Sequence, residues 1–207
     1  MHFIKKISLL ALIFLLPALS QAENYTEGKS YSKLPQTVAT QTADKIEVLE
    51  FFWYGCPHCF SFEPTLKKWK QSKPANVTFI RVPAPLNPSW MVHTKTFYTL
   101  EIMGEGEKYH EAIFAHMHVK KQKLNSKSAI ADFLAEQGVN KETFLATFDS
   151  FAVEMRAKQA MQLGQKYNVS GVPMLAVNGK YTVSGSQAGS YAGMVKVTNH
   201  LIKQESK

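Results

Sequence analysis

The chain carries two cysteines and no others, Cys56 and Cys59, in the run Phe51-Phe52-Trp53-Tyr54-Gly55-Cys56-Pro57-His58-Cys59. A strongly apolar stretch leads into the pair, and a stretch of helical period follows it. With no third thiol present, the pair closes on itself or hands its disulfide to another protein. The local fold is thereby constrained to a strand that feeds a helix beginning at the first cysteine, which is the arrangement of a redox dithiol.

The thiolate is the attacking species, so a useful cysteine ionises easily. At the head of a helix Cys56 meets unpaired N–H groups and the positive end of the dipole, and both favour negative charge. Pro57 then takes the first helical position, where its missing N–H costs nothing. His58, when protonated, adds a positive charge beside the sulfur. Sites of this kind lower thiol pKa values to roughly 3.5–7.5, and a stabilised thiolate makes the disulfide a stronger oxidant. Cys56 is expected to be exposed, to attack and to be attacked. Cys59, one turn in, is expected to be buried and to resolve the mixed disulfide. Two other uses of the sulfurs compete. A structural staple would constrain little, because the closed loop is so short. A zinc or copper site would need two of the seven histidines. His116 and His118 are the best placed, but there is no second C-x-x-C and no paired His-x-x-x-His.

The rest of the chain reads as a split α/β architecture. Residues 23–43 are polar and suggest an extended arm. Residues 45–54 form a continuous apolar run that suits a strand buried on both faces. Phe62, Leu66 and Trp69 then fall on one face of a helix. Lys67, Lys68, Lys70 and Lys73 crowd its C-terminal end, where cations suit the dipole, and Pro64 is expected to kink it. A second strand is predicted over 77–82, closed by Pro83, Pro85 and Pro88. From Trp90 to about Tyr167 the period is helical. Phe97, Leu100 and Met103 or Gly104 make one stripe and Phe144, Phe148 and Phe151 another, both assigned to core. Gly104-Glu105-Gly106, Leu124-Asn125-Ser126 and Gly138-Val139-Asn140 punctuate this region into several helices. Strand character returns over 172–177 and 180–183 around an Asn178-Gly179 turn. Tyr191, Met194, Thr198 and Leu201 mark a last amphipathic helix. One sheet, from residues 23–88 and 168–207, with a helical insertion at 89–167, accounts for this order.

Three further features stand out. Glu50 lies in an apolar run, where a carboxylate near the resolving cysteine can move protons as the disulfide opens and closes. Glu63 follows Cys59 by one helical turn and Arg81 is on the neighbouring strand, so the three form either a small internal charge cluster or, in the plainer alternative, Glu63 and Arg81 are partly exposed. Val172-Pro173 puts a proline at the start of a strand, a place for a cis turn. Set against the dithiol, it would leave the Val172 backbone to pair with an extended substrate peptide.

The first 22 residues read as a cleaved secretory signal. Lys5 and Lys6 give a positive start, residues 7–16 an apolar run, and Ser20-Gln21-Ala22 a small-residue cleavage site. The run is short of the about 20 residues a membrane-spanning helix needs. Export puts the dithiol in an oxidising compartment. The formal charge of +8 falls to +6 without the two signal lysines. Its densest run, Lys120-Lys121-Gln122-Lys123, reads as a solvated loop rather than a nucleic-acid surface.

Cys56-Pro57-His58-Cys59, Gly171-Val172-Pro173 and the exported context together resemble the DsbA family of bacterial periplasmic thiol:disulfide oxidoreductases. The likeness covers nearly the whole mature chain. It implies a thioredoxin fold with an all-helical domain inserted in mid-chain, Cys56 as nucleophile, Cys59 as resolving thiol, Pro173 as a cis-proline, and Glu50 and Glu63 as acids near the site. Arg81 stands where a lysine is common, and arginine cannot give up its proton. The likeness further implies a monomer whose reacting group is the Cys56–Cys59 disulfide, with no cofactor beyond it. Reduced, unfolded secreted proteins would be its substrates, and a quinone-linked inner-membrane oxidase of the DsbB kind would recharge it. An exported reductase or isomerase on the same fold is the alternative within the enzymes, and a metal-binding or chaperone module the alternative outside them.

Overall fold

The computed structural model describes residues 24–42 and 44–206; the expected signal at residues 1–22 lies outside them. Five strands make one sheet in the order β1-β5-β4-β2-β3. They are β1 (Ser32–Lys33), β2 (Ile46–Phe52), β3 (Val77–Pro83), β4 (Met174–Val177) and β5 (Tyr181–Ser184). Strands β2 and β3 are parallel, joined through helix α1 (Pro57–Ser72), while β2–β4, β4–β5 and β5–β1 are antiparallel. The seven residues of β2 are all buried, as the unbroken apolar run requires of a central strand.

The pleat sends alternate residues to opposite faces. One face, with Val48, Leu175, Val177 and Val183, packs under α1 and the last helix, α8 (Tyr191–Glu205), which follows the single-turn α7 (Gly185–Ala188), through Phe62, Leu66 and Leu201 among others. The other face, with Leu49, Phe51 and Val82, is covered by α6 (Phe151–Lys166) through Ala160 and by the neighbouring Tyr167. Between β3 and β4 run α2 (Met91–Ile102), α3 (Gly106–His118), α4 (Lys127–Glu136), α5 (Lys141–Phe148) and α6. Their core, around Leu100, Ile113, Phe114, Leu134 and Phe144, continues into Phe52 and Tyr54 beside the cysteines. Helix α6 thus serves both the sheet and the helical block. Truncating a fully buried member such as Leu66 or Phe114 costs about 2–5 kcal/mol.

Local chemistry explains most of the boundaries. Ser126, Asn140, Ser150 and Ser190 cap α4, α5, α6 and α8, each accepting from the backbone N–H three residues on; such a cap stabilises by about 1 kcal/mol. Asn178 and Gly179 both have positive φ (51° and 68°), the mirror-image turn that matches hairpin twist. Helix α1 runs through Pro64 as one element.

Two expectations need correction. Phe144 and Phe148 are core, but Phe151 is 79% exposed. Asp149 and Ser150 break the helix, so Phe151 opens α6 in a new phase rather than extending the α5 stripe. The arm is also more than extended chain. Ser32 and Lys33 add an edge strand to β5, and the Leu34 and Val38 N–H groups donate to the carbonyls of Lys180 (2.7 Å) and Gly179 (2.8 Å). A Cβ at Gly179 would collide with the Val38 carbonyl, so this turn needs glycine twice over, for its φ and for the arm.

Candidate active site

Cys56 is the N-cap of α1, the place serine and asparagine hold in α4, α5, α6 and α8. Its Sγ accepts from the Cys59 N–H at 3.3 Å, and Pro57 is the first helical residue. Both cysteines are free thiols here, so the site is in its dithiol form. The Cys56 pKa is lowered to about 6. The largest cause is a hydrogen bond from the Cys59 thiol. Partial burial opposes it, the backbone N–H groups of Cys59 and His58 add to it, and the charge of His58 comes last. The helix end therefore does more for this thiolate than the histidine between the cysteines.

Cys56 is more covered than expected, at 7% exposed. The cause is the loop before β4, whose Val172 carbonyl accepts from the Cys56 thiol at 3.4 Å. The Val172–Pro173 bond is cis, and Pro173 is buried while Gly171 is exposed. Cys59 is fully buried. Burial first, then the hydrogen bond and charge of Cys56, push its thiol far above the ordinary range, while the Trp53 backbone N–H pulls the other way. His58 is exposed, and its Nδ1 meets the Tyr191 hydroxyl at 3.1 Å. His58, Val172, Pro173 and Tyr191 share the wall of an open groove of about 900 Å³ that runs on past Lys33 and Gln187.

Behind the dithiol lies a buried charge cluster. Arg81 donates from Nε to Glu50 Oε2 (3.1 Å), from NH2 to Glu63 Oε2 (2.9 Å) and from NH1 to Glu107 Oε1 (2.9 Å). Glu50 is 0% and Glu63 and Arg81 each 9% exposed, so the plainer reading of partial exposure does not hold. Register makes the pair, since Glu50 and Arg81 are direct neighbours across β2 and β3. The two acids diverge. Burial pushes Glu50 up to about 8, with Arg81 only partly offsetting it, and its Oε1 has no hydrogen-bond partner. Burial also acts on Glu63, but His110 and Arg81 outweigh it and hold that carboxyl below its usual range.

Sequence reasoning missed Tyr191, Glu107 and His110 here. A signal existed for two of them. Tyr191 lies on the amphipathic face of the last helix, and His110 stands four residues before Phe114 on an apolar stripe. His116 and His118 do not approach the sulfurs as a metal set. Among the described residues no three of His, Cys, Asp and Glu come together to hold a metal. His118 instead meets the Tyr54 carbonyl at 2.7 Å, and His116 packs on Phe133.

Known proteins resemble this arrangement. The family described as "DSBA-like thioredoxin domain" matches residues 47–190. The thiol:disulfide interchange protein DsbA of Pseudomonas aeruginosa is 43% identical over 198 residues, which is 96% of this chain and 94% of that protein. The protein of the same name from Pseudomonas syringae pv. tomato is 44% identical over 184 residues, 89% of this chain and 86% of its own. The crystal structure of Pseudomonas aeruginosa DsbA superposes with a TM-score of 0.85 at 44% identity, covering 89% of this chain and 96% of that one. The oxidoreductase DsbA from Xylella fastidiosa gives 0.82 at 30% identity, with 88% and 98% covered.

Proposed function

The chain belongs to the DSBA-like thioredoxin domain family, and on that premise we propose that it is a thiol:disulfide interchange enzyme that donates the Cys56–Cys59 disulfide to newly exported proteins. The observation that carries the reading is the contrast between the sulfurs. Cys56 caps a helix with a pKa lowered to about 6, while Cys59 is fully buried with its pKa raised.

The cycle follows from that contrast. A substrate thiolate attacks Cys56 Sγ, the Cys56–Cys59 bond breaks, and Cys59 leaves as a thiolate that takes up a proton. Glu50, protonated at neutral pH with its pKa about 8, is the buried acid on hand to supply that proton. A second substrate thiolate then attacks the substrate sulfur of the mixed disulfide, and Cys56 leaves. Two electrons have passed from the substrate dithiol to the enzyme pair. A leaving thiol of low pKa departs faster, and a thiolate that is stable at neutral pH pulls the exchange toward oxidised substrate.

The substrate lies along the groove, with Val172 and Pro173 beside the reacting sulfur and His58 and Tyr191 across from them. Reduced, unfolded secreted chains fit an open groove of that kind. The enzyme acts as a monomer in the periplasm, delivered there by a cleaved signal at residues 1–22. A quinone-linked inner-membrane oxidase of the DsbB kind takes the electrons from Cys56 and Cys59, and the proposal adds no cofactor. Equilibration with glutathione tests the direction. A potential near about −120 mV marks a disulfide donor, and one near about −270 mV a thioredoxin-like reductant and the end of this reading.

A further inference from the structure

The loop between β2 and α1 is gripped from one side by three histidines of the helical block. His93 on α2 is 3% exposed. Its Nδ1 receives the Trp53 indole N–H at 2.7 Å, and its Nε2 meets the Leu124 carbonyl at 2.7 Å. A carbonyl only accepts, so Nε2 carries the proton and Nδ1 is bare, as the indole donor requires. His110 on α3, 2% exposed, meets Glu63 Oε1 at 3.2 Å through Nε2 and the Tyr54 hydroxyl at 3.1 Å through Nδ1. The same logic applies: Glu63 accepts, so Tyr54 donates. His118, the last residue of α3, donates from Nε2 to the Tyr54 carbonyl at 2.7 Å and stacks on Phe60, with ring centres 5.0 Å apart.

Each histidine places one bond on Trp53 or Tyr54, and Trp53 in turn bears on both cysteines. Its carbonyl accepts the Cys56 N–H at 3.0 Å, and its backbone draws the pKa of the Cys59 thiol down against the effect of burial. The indole is fixed further by a parallel stack on Trp90, 3.9 Å between ring centres, and by lying over Gly55, where a Cβ would collide with it. Burial holds both His93 and His110 below the ordinary histidine range, so their accepting nitrogens stay bare.

We propose that His93, His110 and His118 are positioning residues of the dithiol, which set the redox poise of Cys56 and Cys59 by holding Trp53 and Tyr54 in place. The inference rests on the reading of Cys56 and Cys59 as the reacting pair. The Trp53 carbonyl holds the Cys56 N–H and so orders the helix start whose Cys59 N–H reaches the Cys56 sulfur; that order stabilises the reduced form, and loosening the grip makes the pair a weaker oxidant.

The test is the equilibrium constant with glutathione for purified wild-type protein, His93→Leu, His93→Gln and Trp53→Phe, with far-UV circular dichroism as the check of folding. His93→Leu removes the acceptor; Trp53→Phe keeps a ring on Trp90 but removes the donor. Each is expected to shift the equilibrium toward protein disulfide by about tenfold, the equivalent of one hydrogen bond. The double variant should shift it no further than either alone, because both break the same bond. Glutamine, which both accepts and donates, should restore the constant to within about twofold. A folded His93→Leu or Trp53→Phe protein within about twofold of wild type overturns the proposal. If His93→Leu does not fold, Trp53→Phe and His118→Leu, which removes the donor to the Tyr54 carbonyl, decide it by the same criterion. A wild-type protein that shows no exchange at all would instead overturn the functional reading beneath it.

Discussion

The dithiol sits between two unlike walls. Toward α8 and the loop before β4 the wall is open: His58 is exposed, Tyr191 is part-exposed, and the Cys56 sulfur faces a backbone carbonyl at the rim of a groove. Toward α2 and α3 the wall is closed. Phe52, Tyr54, His110 and Phe114 meet ring to ring with centres 5.1–6.1 Å apart, and behind them Glu50, Glu63 and Arg81 are buried, with the exposed Glu107 at the outer end of the cluster. The first wall admits a partner chain, and the second fixes the geometry and proton affinity of what the partner meets. Binding and tuning are thus assigned to different elements. A substitution should then register on one side as turnover and on the other as stability or potential.

Breaking the pair itself gives the largest effect. Cys56→Ser should abolish oxidation of a reduced, unfolded test protein, while Cys59→Ser should accumulate mixed disulfides through Cys56, read by non-reducing electrophoresis. Adducts that accumulate in Cys56→Ser and not in Cys59→Ser would reverse the roles of the two cysteines.

Next comes the closed wall. Arg81→Met leaves Glu50 and Glu63 without their shared guanidinium, and a broken buried pair costs about 3–5 kcal/mol. The midpoint of urea unfolding reads this directly, and an unshifted midpoint would mean the cluster is not as dry as its burial says.

The two acids give opposite pH slopes, which sharpens the comparison within that wall. Glu50 binds its proton more tightly folded than unfolded, so stability falls as pH rises from about 4.5 through about 8. Glu63 binds its proton more weakly when folded, so its contribution is present above the ordinary carboxyl pKa and is lost as pH falls below it. Glu50→Gln should remove the alkaline loss and leave the acid loss. Its gain at high pH is at most a few kcal/mol, one pKa unit being ~1.4 kcal/mol. A variant whose stability falls as steeply as wild type between those pH values would place the titration elsewhere.

The smallest effect belongs to the open wall. Tyr191→Phe removes one exposed hydrogen bond to His58, worth about 0.5–1.5 kcal/mol at most. Thermal stability should hardly move, while the rate of exchange with a cysteine peptide changes by less than about tenfold. A large loss of stability would make Tyr191 part of the closed wall.

What was readable in advance follows sequence distance. The strand, the capping cysteine and the first helix lie within one short stretch, and a local pattern specifies them. The Glu50–Arg81 contact was legible because a parallel strand pair with one crossover places the two side by side. The grip on Trp53 and Tyr54 was not, since its histidines come from other helices 40 to 64 residues away. A trace of it was present all the same. His93, Phe97 and Leu100 fall at i, i+4 and i+7, as do His110, Phe114 and Met117, so His93 and His110 each occupy a core position of their helix. Phe151 misled for the opposite reason: the spacing was right, but a capping serine restarted the helix one residue earlier.

The arm that closes the sheet has a bearing on the life of the chain before it is folded. Ser32 pairs with Thr182 and Lys33 with Tyr181, so the segment synthesised early is locked by one of the last to be made. Contacts of such long range form slowly, whereas β2, α1 and β3 can assemble as soon as they emerge. For that interval the first cysteine stands on its helix without the Val172 carbonyl above it. The nascent enzyme thus carries its reactive sulfur uncovered until the loop before β4 has been made, and the arm, made well before it, waits for β5.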